Sequence, residues 1–128
     1  MENRMPVLSR DNAPTFNLPG ICFTTLSSPS RGARENAVWE VTIAPGVSGA
    51  PHRLTREETF VALSGSAMVE LDGQRFDLVA GSTLVVDAGQ ILSVSNVGTE
   101  PFRALAVLPV GGQAVVGDRP AFTPPWAA

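Results

Sequence analysis

The sequence of 128 residues has few of the side chains that build disulfides or imidazole clusters: one cysteine, Cys22, and one histidine, His52. A single cysteine excludes an intrachain disulfide framework and a zinc site built from several cysteines. Cys22 lies in the apolar stretch between Ile21 and Phe23, with no second histidine or other base nearby in the sequence. We therefore predict a structural thiol with no catalytic role.

Charged residues and long apolar runs are also scarce. Charged residues make up 16% of the chain, with 9 Lys and Arg against 12 Asp and Glu, so no basic footprint for nucleic acid is present. Apolar runs such as residues 104–108 are far shorter than the roughly 18 residues that a membrane span requires. Residues 1–11 do not have the basic start and apolar stretch of a secretory signal. We expect a cytoplasmic protein that binds neither nucleic acid nor membranes.

What the sequence does contain is a succession of short segments rich in valine, leucine and threonine, broken by glycine, proline or aspartate. This pattern is typical of an all-β sandwich or barrel. It predicts eight strands, the number in a jelly roll, at residues 20–25, 37–43, 58–63, 67–71, 74–78, 83–86, 91–97 and 102–107. Asp72-Gly73 predicts a tight hairpin between the fourth and fifth, because both residues tolerate positive φ.

The length and the apolar content of 44% predict one domain over residues 1–128, with a barrel core at about residues 37–108. Proline-rich residues 1–19 and 109–128 are predicted to be extended N- and C-terminal arms. Phe122 and Trp126 indicate that the C-terminal arm packs on the barrel or across a dimer, because large aromatic side chains are usually buried. We expect a homodimer.

Two motifs in the middle of the chain resemble those of the cupin superfamily, which has a double-stranded β-helix fold. The first family motif runs Gly, His-x-His, Glu, Gly, and this chain has Gly46, His52-Arg53-Leu54, Glu58 and Gly65 at matching spacing. The second family motif runs Gly, Pro-x-Gly, His, Asn. The corresponding residues here are Gly81, Asp87-Ala88-Gly89, Leu92 and Asn96.

The resemblance implies a metal site from which two ligands have been lost. In metal-binding cupins the two histidines and the glutamate of the first motif and the histidine of the second converge on iron, manganese, nickel or zinc. This chain keeps His52 and Glu58 but has Leu54 and Leu92 at the other two positions. Tight binding of such metals takes three or four donors, so we predict no metal cofactor; any weakly bound divalent ion would depend on His52 and Glu58.

Strand alternation places Leu54 on the same face as His52, which predicts a drier lumen. Trp39, Phe60 and Met68, with Leu54 and Leu92, are the candidate pocket-lining residues, whereas the facing of Glu40 and Thr42 stays open. The predicted partner is a small organic ligand. His52 and Glu58 are the candidate catalytic pair, on the hypothesis that they are hydrogen bonded and transfer a proton in an isomerisation, cyclisation, dehydration or epimerisation.

Two alternatives stay open. The first is a non-catalytic cupin that binds or senses a ligand. The second is a divalent-metal enzyme of the dioxygenase or decarboxylase type with a reduced ligand set. The sequence names neither substrate nor reaction, because a fold of this kind supports many activities.

Overall fold

The computed structural model describes residues 6–128, which form eleven short strands. They are β1 (Thr15–Leu18), β2 (Ile21–Ser27), β3 (Asn36–Ile43), β4 (Arg53–Leu54), β5 (Glu58–Ser64), β6 (Ser66–Leu71), β7 (Gln74–Val79), β8 (Thr83–Val86), β9 (Leu92–Ser95), β10 (Phe102–Pro109) and β11 (Ala114–Val115). The helical pieces in this range are single 3-10 turns at Arg10–Asn12, Pro29–Arg31 and Pro125–Ala127. No candidate membrane-spanning helix is found among residues 6–128.

The strands form two facing walls. One wall is a six-stranded sheet in the order β1-β2-β3-β10-β5-β8, with antiparallel neighbours. The opposite wall combines the three-stranded sheet β7-β6-β9 with the pair β11-β4, and an antiparallel bridge between His52 and Leu92 joins the two. All eight predicted strands are present, and the predicted all-β jelly-roll barrel is confirmed.

The inner face of the six-stranded sheet leaves space at its centre. On β3 the larger side chains Trp39 and Val41 point inward, and they pair across the ladder with Ala106 and Ala104 of β10. Ala104 also pairs with Ala62 of β5. Because small residues stand beside large ones along this face, the two walls enclose a hollow instead of filling the interior.

The Asp72-Gly73 hairpin has the predicted geometry. Asp72 has φ of 50° and Gly73 has φ of 82°, and β6 and β7 pair antiparallel on either side of them. The Asp72 carboxylate also accepts a hydrogen bond of 2.8 Å from the Ile91 backbone N–H. This turn therefore links β7 and β6 to the chain entering β9.

The two arms are more ordered than the sequence predicts. Four residues of the N-terminal arm form β1, which pairs with β2 from Thr15–Thr24 to Leu18–Ile21; residues 1–5 of that arm lie outside the described part. In the C-terminal arm, β11 pairs with β4. Strand β1 was not predicted from the sequence because of the nearby prolines. Pro14 and Pro19 lie just outside β1, however, and prolines are tolerated beside an edge strand.

Asn96, the last residue of the second motif, fastens β3 to the loop before β10. Its amide donates to the carbonyl oxygens of Ile43 (2.9 Å) and Glu100 (2.8 Å), and its Oδ1 accepts from the Gly98 N–H (3.0 Å). The side chain is buried, the bond to Ile43 is also buried, and the other two bonds are partly buried.

We expect Asn96→Asp to lower the free energy of unfolding by about 3 kcal/mol, because a buried carboxylate cannot donate to either carbonyl. Urea unfolding at pH 7 measures this change. Asn17→Asp, at an exposed position of β1, is the control and should change stability little. Equal stability of the two variants would contradict the role assigned to Asn96.

Candidate functional site

A cavity of about 200 Å³ lies between the two walls. Its lining is almost entirely apolar, and six of the eight aromatic side chains in the sequence contribute to it. These six are Phe23, Trp39, Phe60, Phe102, Phe122 and Trp126. A mostly apolar cavity with very few polar groups is the usual form of a small-molecule site.

The C-terminal segment, residues 116–128, supplies one side of this cavity. The Trp126 indole stacks on the Phe23 ring, with centroids 3.7 Å apart and planes 4° from parallel, and the Trp126 carbonyl accepts a hydrogen bond of 2.8 Å from the Thr25 hydroxyl. A backbone bridge between Ala114 and Phe122 turns the segment back towards the barrel. Phe122 and Trp126 thus pack on their own barrel, while the expected homodimer stays a prediction.

His52 lies at the cavity wall immediately before β4. Its backbone exchanges hydrogen bonds of 3.0 and 2.8 Å with Leu92, which fixes the chain at this point. Its Nδ1 lies 2.9 Å from the Ala50 carbonyl oxygen. Because a carbonyl oxygen can only accept, Nδ1 carries the proton in this contact, and Nε2 of the neutral ring is a hydrogen-bond acceptor.

Glu58 begins β5 and points into the cavity from the opposite wall. Only 3% of the residue is exposed, and its Oε1 has no hydrogen-bond partner among the described residues 6–128. Burial raises the pKa of Glu58 to about 8, because a carboxylate loses its hydration in this apolar lumen. At neutral pH the side chain is therefore mainly a neutral acid with an O–H to donate.

Neither a hydrogen bond nor an ion pair within 4.0 Å joins His52 to Glu58, so the hypothesis that they are hydrogen bonded is not met by the structure. The reason is local. The Nδ1 of His52 already contacts the carbonyl two residues back, and Glu58 approaches from the six-stranded sheet. The cavity thus holds an acid and a base as separate groups.

Three of the five predicted pocket residues line the cavity: Trp39, Leu54 and Phe60. The other two predictions need correction. Leu92 is 1% exposed and packs in the core, outside the cavity lining. Met68 is on the other face of β6, because its neighbours Ala67 and Val69 are the buried residues of that strand.

Glu40 and Thr42 both point away from the cavity, since Trp39, Val41 and Ile43 occupy the inward positions of β3. Glu40 accepts hydrogen bonds from Arg103 (2.7 Å) and Arg10 (2.9 Å). Burial alone raises the pKa of Glu40, but these two guanidinium groups outweigh it and hold that pKa below its usual value. The ion-paired cluster joins the N-terminal segment to the outer face of the sheet.

The side chains in the cavity do not fit a divalent metal. Among residues 6–128 no three His, Cys, Asp or Glu side chains come together as a ligand group. Of the four ligand positions that the family resemblance implies, His52 and Glu58 supply donors at the cavity wall, and Leu54 supplies none. Two protein donors fall short of the three or four that such sites use.

Sequence reasoning missed several cavity residues, including Leu18 and Ile21 near the β1–β2 turn and Val116 and Pro124 in the C-terminal segment. The alternation of Phe16 and Leu18 between two prolines was a signal for the first group. For Val116 and Pro124 the signal in the sequence was only indirect, namely the neighbouring aromatic residues Phe122 and Trp126, because the position of the segment depends on the contacts of Trp126 with β2.

Comparison with known proteins agrees with this architecture. A family model described as "Cupin domain" matches residues 39–108. The chain is 31% identical over 111 residues to Auxin-binding protein 1 of Arabidopsis thaliana, a match that covers 79% of this chain and 54% of the relative. The chain therefore spans about half the length of that curated relative.

Solved structures with the same fold include two proteins that are named as enzymes. The polyketide cyclase RemF of Streptomyces resistomycificus has a TM-score of 0.72 and 20% identity, covering 85% of this chain and 80% of its own. A sugar phosphate isomerase from Silicibacter pomeroyi has a TM-score of 0.70 and 18% identity, covering 89% and 83%. At these identities the likeness concerns the fold.

Proposed function

Starting from the fact that this chain belongs to the cupin family, we propose that its lumen binds a small organic molecule without a metal and transfers a proton on it. The observation that carries the proposal is Glu58, a buried carboxyl group whose Oε1 has no partner and whose pKa is raised to about 8 by burial. A neutral acid facing an apolar cavity is suited to donate a proton or hydrogen bond to a ligand oxygen.

The proposed chemistry uses Glu58 as the acid and His52 as the base. Glu58 gives its proton to a carbonyl oxygen while Nε2 of His52 removes a proton from the adjacent carbon, so a C–H bond breaks, an O–H bond forms and an enol results. Return of a proton to a different position or face completes an isomerisation or epimerisation, and no further reactant is needed. The isomerase of the same fold is named for a reaction of this class.

The test uses small apolar ketones that bind the protein. Their carbon-bound hydrogens exchange with deuterium in D₂O, and NMR measures the rate of this exchange. We expect the wild type to accelerate exchange next to the carbonyl, and His52→Gln to reduce that rate by about 10²–10⁴-fold. Arg53→Gln changes the exposed neighbour of His52 and is the control. Equal rates in the wild type and His52→Gln would reject His52 as the base.

A second candidate is ligand binding without catalysis. It is favoured by the missing hydrogen bond between His52 and Glu58, since no preassembled dyad is present. The name of the curated relative, a binding protein, agrees with this candidate. It predicts that ketones bind but exchange no faster than in buffer, so the same NMR experiment separates the two functions.

A further inference from the structure

The charge of the cavity wall limits what the lumen can accept. Among residues 6–128, none of those that line the cavity is an arginine or a lysine. The two arginines nearest to His52 in sequence, Arg53 and Arg56, are exposed and do not line the cavity. Moving a carboxylate from water into an apolar site without a counter-charge is costly, so the wall disfavours an anionic ligand.

In the part of the chain that the structure describes, His52 is the single basic side chain on this wall. Its Nδ1–H is already used by the Ala50 carbonyl oxygen at 2.9 Å. In the neutral ring the remaining nitrogen, Nε2, has a lone pair and no proton, and it repels a carboxylate oxygen. Two acceptor groups, a ligand carboxylate and Nε2, would then face each other without a hydrogen between them.

Glu58 adds a specific requirement. Its Oε1 is buried, unpartnered and on the cavity wall, and such groups are normally hydrogen bonded in proteins. A neutral carboxyl group in this place donates an O–H, which needs an acceptor on the ligand. A ligand carbonyl or ether oxygen supplies that acceptor without adding a charge.

The size and shape of the cavity define the remainder of the ligand. A cavity of about 150 Å³ binds benzene, and sites for drug-sized molecules begin near 300 Å³. The volume here, about 200 Å³, lies between these limits. The aromatic lining, including the parallel pair Phe23 and Trp126, offers flat faces on which a ring can stack.

We propose that the cavity selects a neutral aromatic molecule of one or two rings with a hydrogen-bond-accepting oxygen, received by Glu58, and rejects the carboxylate of the same shape. This inference depends on the proposed function in one respect, namely that the lumen is the ligand site. It adds the chemical class of the ligand and the group that recognises it.

Three probes of nearly equal shape test this inference: isopropylbenzene, acetophenone and benzoate, titrated by NMR at pH 7.5. For the wild type we expect acetophenone to bind at least tenfold more tightly than benzoate. Glu58→Leu should weaken acetophenone binding about tenfold, because one hydrogen bond is lost, and should leave isopropylbenzene within about twofold. Glu58→Gln keeps an N–H donor and should retain acetophenone within about threefold.

The outcomes separate the two proposals. If isopropylbenzene and acetophenone both fail to bind, the lumen is not a site for such ligands, and the proposed function is rejected together with this inference. If isopropylbenzene binds but acetophenone is unaffected by Glu58→Leu, only the inference is rejected. Benzoate binding as tightly as acetophenone to the wild type overturns the inference even if a variant does not fold.

Discussion

Replacing Glu58 with glutamine will raise the free energy of unfolding at pH 9 by about 4–5 kcal/mol and change it little at pH 4. The pKa of Glu58 is about 8 in the folded protein, against an ordinary value of 4.5. The folded state therefore binds more protons than the unfolded state between these two pH values, and the stability of the wild type falls as pH rises from 4.5 to 8. The difference between these two pKa values corresponds to roughly 4–5 kcal/mol, because one pKa unit corresponds to about 1.4 kcal/mol.

Glutamine has nearly the shape of the protonated acid and cannot ionise. The stability of the Glu58→Gln variant therefore does not fall between pH 4.5 and pH 8 as that of the wild type does. Urea unfolding of both proteins at intervals from pH 4 to pH 9 measures the difference, which should grow through the interval and level off above pH 8. Glu57→Gln removes the exposed neighbouring carboxylate and should leave the pH dependence of the wild type intact. Parallel curves for the wild type and Glu58→Gln would show that Glu58 ionises normally in the folded state.

Changing Leu54 and Leu92 together to histidine will produce a chain that binds about one zinc ion, whereas we expect the wild type to retain no stoichiometric metal. Leu54 is two residues beyond His52, and both line the cavity. Leu92 is paired with His52 through two backbone hydrogen bonds, and residues paired in this way project to the same face. The double variant thus places three imidazoles on one face of these paired segments, a ligand set suited to zinc.

Elemental mass spectrometry on untagged protein, incubated with zinc and dialysed, gives the metal content per chain. Leu54→Asn/Leu92→Asn is the matched control, since it introduces polar side chains of poor zinc affinity at the same two positions. About one metal per chain in the wild type would refute the metal-free proposal. Failure of the histidine variant to bind zinc would mean that these positions do not converge as the family resemblance implies.

Local patterns in the sequence predicted most of the barrel. The Asp72-Gly73 turn is visible because few residue pairs tolerate positive φ at both positions. Gly65, the last glycine of the first motif, lies in the turn between β5 and β6 and has φ of 74°. A Cβ at this position would clash with the Pro101 carbonyl oxygen, so any other residue here would be strained. Alternation from His52 to Leu54 likewise predicted their common face correctly.

The remaining features depend on contacts between distant segments. Strands β4 and β11 have two residues each and carry no periodic pattern of their own. The alternating pattern around Met68 is compatible with its side chain on either face of β6. Only the packing of β6 against the other wall decides which face is buried. The isolated carboxyl of Glu58 was not foreseeable either, because its lack of a partner depends on every side chain that surrounds it.

The order of strands in the large sheet determines when the binding site forms as the chain folds. Strand β10, which begins at residue 102, lies between β3 and β5, which end at residues 43 and 64, and Trp126 stacks on Phe23. Pairings between such distant segments form slowly, because the closure of long loops must precede them. On a ribosome the cavity therefore stays open until these last segments have emerged. A ligand can stabilise the finished barrel by mass action, but it cannot guide the early steps of its folding.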